Sequence, residues 1–436
     1  MGVSIKAKVG RDSMRTFTTG AVASVFSILT GVIIARTLGP SGKGIYSGVQ
    51  LLHTAVLSVS SGVGGAITYY LTKRAQPITA LIPALLRILL MVCCLAWAAL
   101  ALWALLRGIT TVQIIFMVVV PASVVLSWQP AIFISLDRIK NLNYQNVGLA
   151  LTTLVAVSVV LLVFHAGTSA AIIAWVICVY GTALVVIAFT IKAVRAESRA
   201  SEPVALAQLL SFGFRSSLTG ALSFMNSRVD SLIVIGLIGI SGFGIYSMAT
   251  GIAEVLYMIS QALGTSIARS IGVSDFHTSA LITAKAIRLN TIVVGLVSAL
   301  LFAFAPFLID KVYGRLFDPA AAPLRILLPG LVIFSATRIF NSFFTYQLGR
   351  PMFAVYLLAA VTMLQIAGCF VFIPRVGLAG AALASTAAYL VATLGQTWYF
   401  CKVSSLPVSS VWLPTRSDAG QLWNSAGAIA RNAHAK

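Results

Sequence analysis

Read from the N-terminus, the chain alternates between long apolar runs and short breaks built from Gly, Pro and charged residues. The runs fall at about 16–36, 45–71, 81–106, 112–135, 146–164, 169–191, 208–237, 243–268, 284–309, 323–348, 352–373 and 378–400. Each is near or above the roughly 20 apolar residues that carry a helix through bilayer hydrocarbon. The pattern therefore predicts about twelve transmembrane helices with short loops, the longest running from Lys192 to Ala207, about 16 residues. The first run is too long for a signal-peptide core and has no small-x-small cleavage site, so we read it as a retained helix.

Composition agrees. Apolar residues make up 59% of the chain, charged residues 9%, and the mean hydropathy is +0.98. Soluble domains carry about 25% charged residues. The net charge of +20 changes the picture only through its distribution. With the N-terminus in the cytoplasm, the cytoplasmic segments hold about 17 of the 30 Lys and Arg residues. The outer loops hold about six: Arg36, Lys43, Arg107, Lys311, Arg315 and Arg375. This bias predicts that both termini are cytoplasmic. The basic residues are scattered among apolar spans and form no basic domain, which excludes nucleic acid as a partner. The five cysteines (Cys93, Cys94, Cys178, Cys369 and Cys401) form no CxxC pair and read as small core residues.

The chain repeats itself. Leu38–Ser47, LGPSGKGIYS, matches Ile238–Ser247, IGISGFGIYS, at seven of ten positions with an offset of 200. The shared positions include Gly39, Gly42, Gly44 and Tyr46 in the first copy and Gly239, Gly242, Gly244 and Tyr246 in the second. Each copy joins the first two helices of a six-helix half. An even helix number per half gives a parallel repeat, with two bundles related by a pseudo-two-fold axis along the membrane normal. The expected class is thus an all-α integral membrane protein. It comprises a cytoplasmic segment (1–15), a six-helix bundle (16–191), a cytoplasmic linker (192–207), a second bundle (208–400) and a cytoplasmic, flexible tail (401–436). We expect the repeat glycines, Gly44 and Gly244 among them, to adopt positive φ, and the tyrosines to sit at the membrane interface.

Four short stretches carry a resemblance that spans about Arg15 to Lys402. Ala35–Ser47, ARTLGPSGKGIYS, resembles the ARxLGPxGxGxY signature that follows the first helix of Wzx-like oligosaccharide flippases, polysaccharide transporters of the multidrug/oligosaccharidyl-lipid/polysaccharide (MOP) exporter superfamily. Asn226–Gly236, NSRVDSLIVIG, is similar to their seventh helix. Gly349-Arg350-Pro351 is similar to an inner turn, and Gly377–Thr386 to the last outer turn. The resemblance implies a two-lobed, V-shaped bundle in a bacterial inner membrane. Its cargo would be an undecaprenyl-pyrophosphate-linked oligosaccharide, moved from the inner to the outer leaflet by alternating access through a central cationic cavity. The partners implied are that lipid-linked sugar, membrane lipids and a polysaccharide polymerase or export complex. No cofactor is implied, and H⁺ or Na⁺ coupling stays open. Lipid II flippases of the superfamily usually carry two more C-terminal helices, for which no apolar run exists after about Lys402.

Ionisable groups inside spans point to function, because a charge at mid-bilayer costs about 2.5–3.5 kcal/mol on insertion scales. Arg215, Asn226 and Asp230 fall on one stripe of the seventh helix, with Arg228 on another face. Arg338 and Asn341 are helical neighbours at i, i+3 and together suit phosphate oxygens. These six residues are the candidate substrate-binding groups. Glu254, the lone carboxylate of its helix, is the candidate for a coupling ion. Arg87 suits snorkelling to the inner surface, and His53 suits a satisfied core position. No Walker A, GxSxG or HExxH pattern is present, and no catalytic residue or metal site is assigned. A glycan polymerase or ligase would need a large outer domain, but the longest outer loop, Asp310 to Ala322, has about 13 residues. A small-molecule, multidrug-type antiporter of the same superfamily is the main alternative.

Overall fold

A computed structural model describes residues 2–108, 111–196 and 203–413, which are almost wholly helical with no strand among them. Helix α1 (Gly2–Thr68) and helix α2 (Ile78–Arg107) are followed by α3 (Thr111–Ser135), α4 (Ile139–Ser158), α5 (Thr168–Ala196) and α6 (Leu206–Leu237). Then come α7 (Ile240–Val273), α8 (Phe276–Leu308), α9 (Ala321–Phe334), α10 (Thr337–Tyr346), α11 (Pro351–Val376), α12 (Leu378–Ser404) and the short α13 (Val408–Trp412). Among the described residues, ten helical stretches are long and apolar enough to cross a membrane. One of them, Thr18–Lys73, is 56 residues long and holds two spans. The more polar α6, 32 residues, completes a set of twelve.

The first repeat motif is not a loop. Gly39 breaks α1 with φ 65 and ψ −171, a conformation open in practice only to Gly. Helix resumes at once with Pro40, whose missing N–H is harmless in a first turn. Gly239, at φ 100, separates α6 from α7 in the same way. Gly44 and Gly244, expected at positive φ, are instead helical and serve a packing role. A Cβ on Gly44 would lie 1.9 Å from the Ile240 carbonyl oxygen, and one on Gly244 2.0 Å from that of Pro40. Residues 40 and 240 are repeat equivalents, so the contact is isologous. Ser247 Oγ and Ser47 Oγ, also equivalents, lie 3.4 Å apart beside it.

Packing divides the described residues into two compact units. One runs up to Arg228 and includes Gly239–Ser247; the other comprises Val229–Ile238 and the residues from Met248 onward. In the first unit, Trp175 anchors a core with Tyr46 and His53, both meeting its ring edge-on at 6.3 and 5.2 Å. In the second unit, Phe340, Phe343, Phe344 and Phe400 form a fully buried aromatic core. There α11 and α12 approach through small residues, and a Cβ on Gly380 would meet the Phe372 carbonyl oxygen at 2.3 Å. Close backbone approach at small residues is how helices gain packing energy in lipid. Large apolar side chains such as Leu105, Phe164, Phe307 and Trp398 are exposed on the outer faces, as lipid-facing groups are.

Several expectations are corrected. Tyr46 and Tyr246 are buried in helix packing, so neither ring is presented to the surrounding headgroups. Lys43 is not an outer-loop cation; the helix restart at Pro40 carries it inward, and it is buried. The tenth predicted span is found as one candidate span, Arg315–Tyr346, with a turn at Ser335–Ala336 between α9 and α10. The loop from Asp310 is ordered by a π-helical turn, Ile309–Tyr313, and a 3₁₀ turn, Arg315–Ala320, with Tyr313 and Phe317 buried. The tail after Lys402 is structured as far as Leu413. Val411 of α13 is buried, Arg288 donates to the Ser410 carbonyl, and Trp412 Nε1 donates to Thr397 Oγ1 at 3.3 Å. Residues 414–436 lie outside the described residues.

Candidate functional site

In the second unit, the break before α10 sets Arg338 in a helical first turn with its guanidinium 4.7 Å from the Tyr257 ring centroid. Tyr257 stacks on Phe334 (6.0 Å, 12° between planes), and Phe334 stacks on Tyr389 (4.3 Å, 22°). Three rings from α7, α9 and α12 thus support one guanidinium. Here α7 passes beside α10, and a Cβ on Gly264 would make an ordinary contact with Arg338 Cβ at 3.7 Å. Arg338 Nε is buried with no hydrogen-bond partner among the described residues. An unsatisfied buried donor costs about 1–3 kcal/mol, which a ligand oxygen would recover. One turn on, Asn341 Oδ1 accepts from Gln396 Nε2 at 3.0 Å, and Gln396 Oε1 is buried without a partner among the described residues. Arg338 and Asn341 both lie on α10, with Tyr257 beside the first and Gln396 beside the second.

The stripe on α6 divides. Asn226 and Asp230 are both buried, and Arg228 is half-buried. The Arg215 side chain lies outside the described residues, although its backbone is helical. Asp230 belongs to a polar cluster of the second unit. It accepts from Ser385 Oγ at 2.9 Å and from the Ser231 backbone N–H at 2.7 Å. Gln365 Nε2 donates to Ser385 Oγ at 3.0 Å, and Gln365 Oε1 is buried with no partner among the described residues. A buried carboxylate of this kind suits a proton or a hard monovalent cation, and Gln365 is linked to it through Ser385 by the amide nitrogen. Glu254, by contrast, is exposed on α7.

In the first unit, His53 Nδ1 and Ser123 Oγ are 2.6 Å apart, which accounts for the buried ring. Arg87 is exposed. Lys43 is the unforeseen group. It is 9% exposed, and its Nζ lies against the first arm of α1 where Gly31 leaves room, 3.5 Å from the position a Cβ would take. The five apolar spans between Thr18 and Arg195 contain no Asp or Glu. This unit therefore buries a cationic side chain without a carboxylate in its spans. The sequence signal was present: a Pro directly after a turn Gly marks a helix start, which puts Lys43 inside a helix.

No protein-family model matches the sequence, and no curated protein is significantly similar to it. Solved structures are similar in fold. One, an inward-facing multidrug resistance MATE family transporter of the MOP superfamily, superposes with a TM-score of 0.68 at 14% identity, covering 88% of this chain and 96% of that one. An outward-facing MATE structure gives 0.63 at 16% identity, covering 91% and 95%. A MOP superfamily transporter from Pyrococcus furiosus, described as having a binding pocket of reverse polarity that suggests a different function, gives 0.59 at 14% identity, covering 92% and 96%. The chain has the fold of the MOP superfamily transporters.

Proposed function

We propose that this protein is a transporter of the bacterial inner membrane that flips an undecaprenyl-pyrophosphate-linked oligosaccharide to the outer leaflet for polysaccharide export. Both termini lie in the cytoplasm in this reading. The observation that carries it is Arg338, a cation inside a span, whose Nε–H is buried and has no partner among the described residues. The Arg338 guanidinium lies over the Tyr257 ring, 4.7 Å from its centroid, and Lys43 is buried in spans without a carboxylate; Asp230, in the second unit, is the buried group of opposite sign. A diphosphate and its sugars cannot cross hydrocarbon unaided, and a guanidinium beside an amide offers the forked donors that phosphate oxygens accept. The stacked Tyr257, Phe334 and Tyr389 fix the guanidinium, so little side-chain entropy is lost when it binds. Asn341 remains a candidate beside Arg338 on α10, and Arg215, Asn226 and Arg228 remain candidate substrate-binding groups on α6. Asp230, in its oxygen cluster, is the better-placed group for a coupling proton or Na⁺; Glu254 is the other candidate.

A multidrug-type antiporter is the second reading, favoured by the MATE transporters that share the fold. A cavity for cationic drugs calls for carboxylates that a ligand can reach. Asp230 is buried among Ser385 and its own helix, which leaves Glu254 for that part. The test is export in cells. Arg338→Ala should abolish export at normal protein levels, with glycan intermediates accumulating on the inner leaflet, and Arg338→Lys should keep part of the activity. Wild-type export by Arg338→Ala would remove the residue from the route.

A further inference from the structure

Helices α1 and α6 run antiparallel within the first unit and touch backbone to backbone. A Cβ on Gly62 would lie 2.1 Å from Ser217 N, and one on Gly220 2.1 Å from the Ser58 carbonyl oxygen. Beyond Gly65 on α1 and before Gly213 on α6 these small residues give way to Tyr69, Tyr70 and Phe212. Large rings hold the helices apart there, and a cavity of about 640 Å³ opens between them. Tyr69 lies flat on Phe212 at 5.1 Å, and Tyr70 meets Tyr69 edge-on at 5.3 Å. The α1 span ends in a π-helical turn, Tyr69–Lys73, as two other spans do at Val159–Val163 and Ile309–Tyr313. The turn sets Arg74 beside the rings. Arg74 Nε donates to Tyr69 Oη at 3.2 Å, and the guanidinium carbon is 5.8 Å from the Tyr69 centroid. No carboxylate pairs with Arg74 among the described residues, so its terminal N–H groups stay available to a ligand in the cavity it lines.

We propose that this cavity is a docking site for the diphosphate of an isoprenoid-linked glycan, taken up at the membrane surface before translocation. The inference rests on the transport reading above and gives it a point of entry. The cavity sits where the Thr18–Lys73 span ends, on the side that Lys73, Arg74, Lys192 and Arg195 assign to the cytoplasm, where the substrate is loaded. Arg74 supplies a forked donor for two phosphate oxygens, and its hydrogen bond to Tyr69 orients the fork in advance. Gln208 and Ser216 add polar groups to the wall. Phe214 and Leu218, 73% and 64% exposed on the same stretch of α6, give the prenyl chain an apolar surface to lie against while it stays in lipid. The volume falls within the roughly 300–1,000 Å³ of small-molecule sites, enough for a diphosphate and its first sugar.

The test is binding of farnesyl diphosphate to the full-length protein in phosphatidylcholine nanodiscs. Arg74→Ala should weaken binding tenfold or more. Tyr69→Phe, which removes only the hydroxyl that orients Arg74, should weaken it by a smaller factor, and farnesol should bind both forms alike. Equal affinity of wild type and Arg74→Ala, or no binding to wild type, overturns the proposal. So does displacement by phosphatidylglycerol at equal concentration, which would assign the site to ordinary anionic lipid. If binding fails these tests while the purified protein still flips lipid-linked glycan in vesicles, only the docking site is lost. If glycan is not flipped either, the transport reading falls with it.

Discussion

The isologous crossing of Gly44 and Gly244 yields a quantitative expectation. A methyl group at Gly44 would stand 1.9 Å from the Ile240 oxygen and 2.8 Å from its carbon, both backbone atoms that cannot rotate away. Relaxed carbon–oxygen contacts lie at about 3.3 Å or more, so the helices must separate by roughly 1.4 Å. The same holds at Gly244, whose Cβ would meet Pro40 O at 2.0 Å and Gly44 N at 2.9 Å. Overpacking costs about 1–3 kcal/mol, and contact with rigid backbone puts each variant at the upper end. Because both methyl groups act on one crossing, the separation forced by the first makes room for the second, and the double variant should lose less than the sum. Thermal unfolding of Gly44→Ala, Gly244→Ala and the pair in detergent measures this. Gly48→Ala is the control, since its Cβ would lie an ordinary 3.6 Å from Ile240 Cδ1. Wild-type unfolding temperatures for both single variants, or strict additivity in the pair, would refute the shared crossing.

Three further outcomes are expected. If Asp230 carries the coupling ion, Asp230→Asn should abolish the dependence of transport on a proton or Na⁺ gradient, while Glu254→Gln should keep it; the reverse result assigns coupling to Glu254. Asp275 caps α8 by accepting from the Thr278 N–H at 2.9 Å, and this hydrogen bond holds its pKa below the ordinary carboxylate value. Its stabilising contribution should be full above the ordinary carboxylate range and fade as pH falls through the lower folded value, a component of acid unfolding that Asp275→Ala should lack. Reporters placed after Gly167 and after Gly377 should read outside and one after Gln76 inside; an inside signal at Gly377 would break the twelve-span topology.

The fold was legible because lipid imposes it: apolar runs of spanning length leave helices as the only choice. The repeat was legible as a match, but its geometry was not. A Gly can serve a turn or a close approach, and only three-dimensional packing separates Gly39, at positive φ, from Gly44, in a crossing. Arg338 and Asn341 stood out because helical spacing joins them locally. The rings that support Arg338 and the Ser385–Gln365 pair around Asp230 come from segments distant in sequence, with no periodic signal tying them together. Lys43 was read as a loop residue because the Gly-Pro-Ser-Gly run looks like a turn; the helix restarts at Pro40 and buries it.

The central claim, that the cargo is an anionic lipid-linked sugar, is tested most directly with the purified protein in liposomes. The measurement is the rate at which a fluorescent prenyl-diphosphate-linked oligosaccharide crosses the bilayer, set beside gradient-driven uptake of ethidium in the same vesicles. The account predicts translocation of the lipid-linked oligosaccharide, its loss in Arg338→Ala, and no ethidium uptake above empty vesicles. Ethidium uptake with no movement of the glycolipid would contradict it and establish the antiporter.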